Sequence, residues 1–184
     1  MTQEELRELN EGIASLHEEG DVRSLAIDPD RQIQFPRGYL RTLQTYRGFF
    51  PFITDNVVRE KVILHMLHRD TLHWLWLKTD IAYEARAMIV KFQLVNLAVI
   101  LEALVKHVRP HVADAQNSVR GRIEVLHNDG VIDQQTEDDL KDLWATRNRI
   151  HIDTRPDELA TYSNDNYILW HDAVKRLIEA LTPT

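Results

Sequence analysis

Apolar residues recur at three- and four-residue intervals along most of the chain, and alternation of apolar and polar positions is nowhere sustained, so the pattern predicts helices without a sheet. Leu6, Leu9, Ile13 and Leu16 line one face of an N-terminal amphipathic helix that is acidic on its other face and ends at Gly20. From Asp21 to Pro36 the periodicity lapses around the turn signal Asp28-Pro29-Asp30, after which Tyr39, Leu43 and Tyr46 fit a short helix. Thr54-Asp55-Asn56 supplies capping residues to a long helix reaching about Leu77. A second long helix, Ile81 to Val108, is apolar nearly all round and stops at Arg109-Pro110, which places it in the middle of a bundle. Its polar residues fall into two strips, Glu84, Lys91, Glu102 and Lys106 on one and Arg86, Gln93, Asn96 and His107 on the other, and each strip needs water or internal partners.

Val119, Ile123 and Leu126 mark a further helix ending near Asn128-Asp129-Gly130. Thr136-Glu137-Asp138-Asp139 reads as the capped, acidic start of the next, which runs to about Ile152. Pro156 suits a helix's first turn, and Tyr167, Trp170, Val174, Leu177, Ile178 and Leu181 give an amphipathic C-terminal helix. The expectation is an all-α protein: an acidic helix over 1–20, a linker with a short helix over 21–50, and a helical bundle over 51–184.

A length of 184 residues fits one domain with an appendage. The formal charge of −7 is concentrated in residues 1–30, while residues 31–184 hold 20 acids and 20 bases. That distribution argues against extended contact with duplex DNA and leaves room for a short local nucleic-acid site. The absence of cysteine excludes disulfides, thiol catalysis and cysteine zinc sites. No basic n-region followed by an apolar h-region opens the chain, and no uninterrupted apolar stretch reaches membrane-spanning length, so the expectation is a cytoplasmic protein without membrane segments.

The segment most open to chemistry is Leu140 to Asp153. Helical projection sets Arg147 and His151, one turn apart, inside the apolar face marked by Leu140, Leu143, Trp144 and Ile150. A guanidinium that grips a phosphate beside an imidazole that moves a proton near neutral pH is a minimal kit for RNA cleavage by the 2′-hydroxyl, with no metal or other cofactor required. The structural alternative pairs Arg147 with Glu102 or Glu84 and leaves His151 to cap its helix.

Leu101-Glu102-Ala103-Leu104, Asn128-Asp129-Gly130-Val131-Ile132-Asp133, Asp139-Leu140 and Arg147-Asn148-Arg149-Ile150-His151 together resemble the HEPN superfamily of small helical bundles over about residues 82–178. The resemblance implies catalytic roles for Arg147, Asn148 and His151, a homodimer, and metal-independent ribonuclease activity of a toxin–antitoxin or defence type. Here three residues separate Arg147 from His151, where family members commonly have four to six. The alternative implied is a non-catalytic interaction or regulatory module. Arg120, Arg122, Arg147, Arg149 and Arg155 are expected to form a local basic surface next to His151 for RNA or a nucleotide, and Glu102 to support Arg147.

Three other features offer weaker chemistry. His65, His68 and His73 hint at a metal, but their spacing does not put all three on one helical face. His68-Arg69-Asp70 matches a kinase catalytic loop only as a tripeptide. Trp74 and Trp76 sit in an apolar band that serves either core or a dimer surface, and the acidic first helix offers a docking element for a basic protein partner.

Overall fold

The periodicity resolves into seven helices in a computed structural model that describes residues 2–19, 40–81, 83–113, 116–150 and 163–182. They are α1 (Gln3–Glu19), α2 (Leu43–Phe49), α3 (Asn56–Lys78), α4 (Tyr83–Val108), α5 (Val119–Asn128), α6 (Gln134–Arg149) and α7 (Asn164–Leu181), and the described residues contain no strand. The protein is an all-α helical bundle. Residues 1–39 form one compact unit and residues 40–184 the other. In the first, α1 leaves Leu6 and Leu9 exposed and carries Glu4 and Glu5 in its first turn, where carboxylates meet the positive end of the helix dipole.

The second unit is organised by α4. Val90, Leu94, Leu97, Ala98, Ile100, Leu101, Leu104 and Val105 are all buried, and α3, α5, α6 and α7 pack against it. By length and hydropathy α4 is the one helix among the described residues that could cross a bilayer, and its central place in the bundle accounts for that composition. Three contacts set α3 antiparallel to it: the Thr54 N–H donates to His107 Nε2, His65 Nδ1 meets Asn96 Oδ1, and the Arg86 guanidinium lies over the Trp76 ring. Within the second polar strip of α4, Gln93 and Asn96 are thereby buried, while His107 is half-buried and Arg86 stays exposed.

Polar contacts fix the remaining helices. Lys141 pairs with Glu124 and the His127 ring lies 3.8 Å from the Glu137 carboxylate, which sets α5 and α6 antiparallel. Trp170 Nε1 donates to Asp142 and Arg176 to Asp139, which sets α7 antiparallel to α6. Arg109–Asp129 brings the end of α4 to the α5–α6 turn. The His73–Tyr167 and Trp76–Tyr167 ring contacts bring the start of α7 toward the α3–α4 end of the bundle, while α5, ten residues long, spans only about 15 Å from the Arg109–Asp129 end.

Local chemistry explains most helix ends. Asp55, Ser118, Asp133 and Ser163 each accept a backbone N–H from the first turn that follows, each such cap contributing about 1 kcal/mol. Gly130 adopts φ 71° after α5, a left-handed position where a side chain would be strained. Two sequence expectations for α6 need correction. Its cap is Asp133, one turn before Thr136, so Glu137 and Asp139 are not first-turn dipole partners alone: both are buried, paired with Lys141 and Arg176 respectively. The helix also stops at Arg149 rather than near Ile152, with Ile150 leaving helical geometry at ψ 85°.

Gly121 is required for a different reason. A Cβ there would lie 2.6 Å from the Gln116 carbonyl oxygen and 2.7 Å from its Cα, and backbone cannot move aside as a side-chain tip can. Gly121→Ala is expected to destabilise by about 1–3 kcal/mol in urea titrations despite the better helix propensity of alanine. Gly48→Ala, with nothing within 4 Å of the added carbon, should instead be neutral or mildly stabilising.

Candidate functional site

The last turn of α6 carries Arg147, Asn148 and Arg149 in a cationic sequence that suits the negative end of the helix dipole. Arg147 is half-buried rather than turned into the core: its guanidinium lies 5.1 Å from the centroid of the Trp144 ring, and Nη1 donates to Asn148 Oδ1 at 3.2 Å. No described carboxylate pairs with it. Trp144 takes the place in the apolar face that the helical projection shared between them. Arg149 is exposed and donates to Thr146 Oγ1 at 3.0 Å. His151 and Arg155 lie outside the described residues, and α6 itself ends at Arg149.

Glu102 does not support this site. It pairs with Lys106 at 2.5 Å, close to the end of α4 that Arg109–Asp129 ties to the α5–α6 turn, at the opposite end of the bundle from Arg147. There it lines a shallow groove of about 640 Å³ with Lys61, Val99 and His107.

Arg122 does come to the right end. The antiparallel register of α5 and α6 brings the first turn of α5 within about a turn of the end of α6. Arg122 is only 6% exposed, and its Nη2 donates to Asn117 Oδ1 at 2.6 Å. Arg120, also expected in the basic surface, is exposed beside Glu124 at 3.7 Å. Among the described residues, Arg122, Arg147 and Arg149 thus hold guanidinium charges with no carboxylate partner at one end of the α5–α6 hairpin, whereas Arg41, Arg69, Arg109 and Arg176 each meet an aspartate.

A second polar constellation, at the same end, escaped the sequence reading. Arg69 and His73 stand one turn apart on the α3 face that buries Val62, Met66 and Trp76. Arg69 Nη2 donates to Asp70 Oδ1 at 2.7 Å, and the buried Tyr46 hydroxyl donates to Asp70 Oδ2. The rings of His73 and Tyr167 lie 6.0 Å apart and those of Tyr167 and His171 6.1 Å apart, joining α3 to α7. Gln93, fully buried on α4, faces His73 without a hydrogen bond of good geometry to it. The signal in the sequence is the recurrence, at 69 and 73, of the arginine–histidine spacing found at 147 and 151.

This seam shifts several protonation equilibria. Burial pushes the Tyr167 hydroxyl up to about 12. Burial, and then the Arg69 charge, hold the His73 imidazole below its usual range, and burial does the same to His171 against the opposing pull of Asp172. Depressed imidazole values mean that the unfolded chain binds more protons in mild acid. Stability is therefore complete above the ordinary histidine pKa and declines as pH falls from there through the depressed folded values. Urea midpoints measured from pH 7.5 to 5 should fall, and His73→Gln together with His171→Gln should flatten that fall. An unchanged slope in the double variant would refute this assignment.

The described residues contain no group of three or more side chains suited to a metal, and His65 is engaged with Asn96. No protein-family model, curated protein or solved structure matches the chain.

Proposed function

We propose that this chain is a HEPN-like protein that acts on RNA in the cytoplasm, as a metal-independent endoribonuclease of a toxin or defence type built on paired protomers. The observation that carries the reading is the Arg147 guanidinium, spread on the Trp144 ring, touched by the Asn148 amide and without a described carboxylate to neutralise it. A planar cation on an aromatic platform suits a phosphate with an adjoining base. In the reaction, the ribose 2′-oxygen attacks the neighbouring phosphorus and the 5′-oxygen departs, leaving a 2′,3′-cyclic phosphate and a 5′-hydroxyl. Arg147 stabilises the phosphoryl oxygens, His151 transfers one of the two protons, Asn148 orients the guanidinium, and Arg122, Arg149 and Arg155 hold flanking phosphates.

One observation favours a second reading, in which the chain is a binding or regulatory module. The helix that carries Arg147 ends at Arg149, with Ile150 already outside helical geometry. The separating experiment is cleavage of a mixed-sequence single-stranded RNA in EDTA, with His151→Ala prepared identically. Cyclic-phosphate products that vanish with His151 support the nuclease; retention of cleavage in the variant refutes it, and RNA binding without cleavage favours the module.

A further inference from the structure

The side of α4 that faces away from the bundle is apolar. On a helical projection Met88, Phe92, Val95, Val99 and Ala103 fall within an arc of about 80°, spaced by four, three, four and four residues as on the seam of a helix pair. Phe92 is 52% exposed and Met88 36%, and the other three are half-buried. Only 56% of the most apolar window of α4 is buried, so the central place of the helix accounts for its inward face and leaves this stripe uncovered. Beside α3 the stripe runs into the shallow groove, which Val58, Val99 and Ala103 line.

Charge decides what covers it. Glu84, Lys91, Glu102 and Lys106 run along one rim of the stripe, acid and base alternating from one end to the other. A two-fold axis across α4 near Val95 lays a second, antiparallel α4 on the first and keeps the charged rims on the same side, with their order reversed. Glu84 then faces the partner's Lys106 at each end, and Lys91 lies toward the partner's Glu102. An axis along α4 would instead pair the helices in parallel and set the rims on opposite sides, with no such match. Within its own protomer Lys106 meets Glu102, but both are partly exposed and a surface pair of that kind contributes little, so exchanging it for the partner's Glu84 costs little. A lipid surface would take up the apolar stripe but gain nothing from a rim of two acids and two bases.

We propose that this face of α4 is the seat of a second copy of the chain, in a two-fold dimer whose antiparallel α4 helices meet at Val95. The dimer rests on the α4 face alone, whereas the RNA reading invokes paired protomers without assigning them a surface.

The test is sedimentation of the full chain between about 1 and 100 μM, where a dimer is expected. Phe92→Glu should weaken association about tenfold or more, and because Phe92 is half-exposed in its own protomer the variant should keep its helical circular-dichroism spectrum. Glu84→Lys and Lys106→Glu should each weaken it about fivefold, and mixing the two variants should restore it, because both pairs are again of opposite charge in the heterodimer. The chain has no cysteine, so Val95→Cys places a single thiol beside the axis, and mild oxidation should link two copies through it. Met88→Cys, about 10 Å along the helix from the axis and so about 20 Å from its image, should not self-link. A chain that stays monomeric throughout overturns the dimer, as does an association that Phe92→Glu leaves intact and Val95→Cys does not trap. Monomers that bind phosphatidylcholine vesicles through Phe92 would also overturn it, in favour of a lipid surface. Mass and cross-linking are read without RNA, so their failure is distinct from a failure of cleavage.

Discussion

Asp70→Ala is expected to destabilise the bundle by about 3–5 kcal/mol, the largest single-residue loss foreseen for this chain. Asp70 is the only described carboxylate against Arg69, which is 9% exposed, and it also accepts the Tyr46 hydroxyl and faces Arg41 at 3.6 Å. Truncation leaves a buried guanidinium uncompensated and a buried hydroxyl without its acceptor. The cost therefore comes from the groups left behind more than from the bonds lost. A double variant, Arg69→Met with Asp70→Ala, should recover a large part of the loss because the stranded charge is gone. Urea denaturation of the two single variants and the double closes the cycle. A cost for Asp70→Ala below about 1 kcal/mol, as for a surface pair, would show that water reaches Arg69 and that the seam is not a sealed one.

What was legible in the sequence follows the range of the interactions. Apolar periodicity is local, and it locates α3, α4 and α5 to within a few residues and the apolar face of α7, with Asp55 part of the expected capping sequence; Pro156 lies outside the described residues. The start of α6 was misplaced because Thr136-Glu137-Asp138-Asp139 has the composition of a cap, while the true cap, Asp133, lies one turn earlier. Glu137 and Asp139 are acidic for partners on other elements or turns, and no single-helix pattern reveals that Arg176 on α7 meets Asp139. The same limit hid the seam. Tyr46, the Asp70–His73 turn of α3 and the Tyr167–His171 turn of α7 are far apart in sequence, and only the packing of α2, α3 and α7 makes them neighbours. For Arg147 the projection was sound along the helix and failed at its end, where the chain leaves helical geometry and the guanidinium lies over Trp144.

Arg147→Ala should separate stability from function in the opposite way to Asp70→Ala. The side chain is half-buried, and its contacts are a ring and a neutral amide. Such a cation–π contact contributes about 0.5–1 kcal/mol, and no described acid is stranded by its removal, so unfolding free energy should fall by under about 1 kcal/mol. On the ribonuclease reading proposed above, the transition state for RNA cleavage loses far more, because a guanidinium aimed at developing phosphoryl charge stabilises it directly. Cleavage is expected to drop about 100- to 1,000-fold in Arg147→Ala, with the loss mainly in kcat. Arg147→Lys keeps the charge but not the planar two-pronged donor, and should recover only part of the rate. Had Arg147 been a structural counterpart of Arg69, the melting temperature would fall first and activity only with the fold. A loss of several kcal/mol in Arg147→Ala would place the residue in that class and take from the RNA reading the arginine on which it depends.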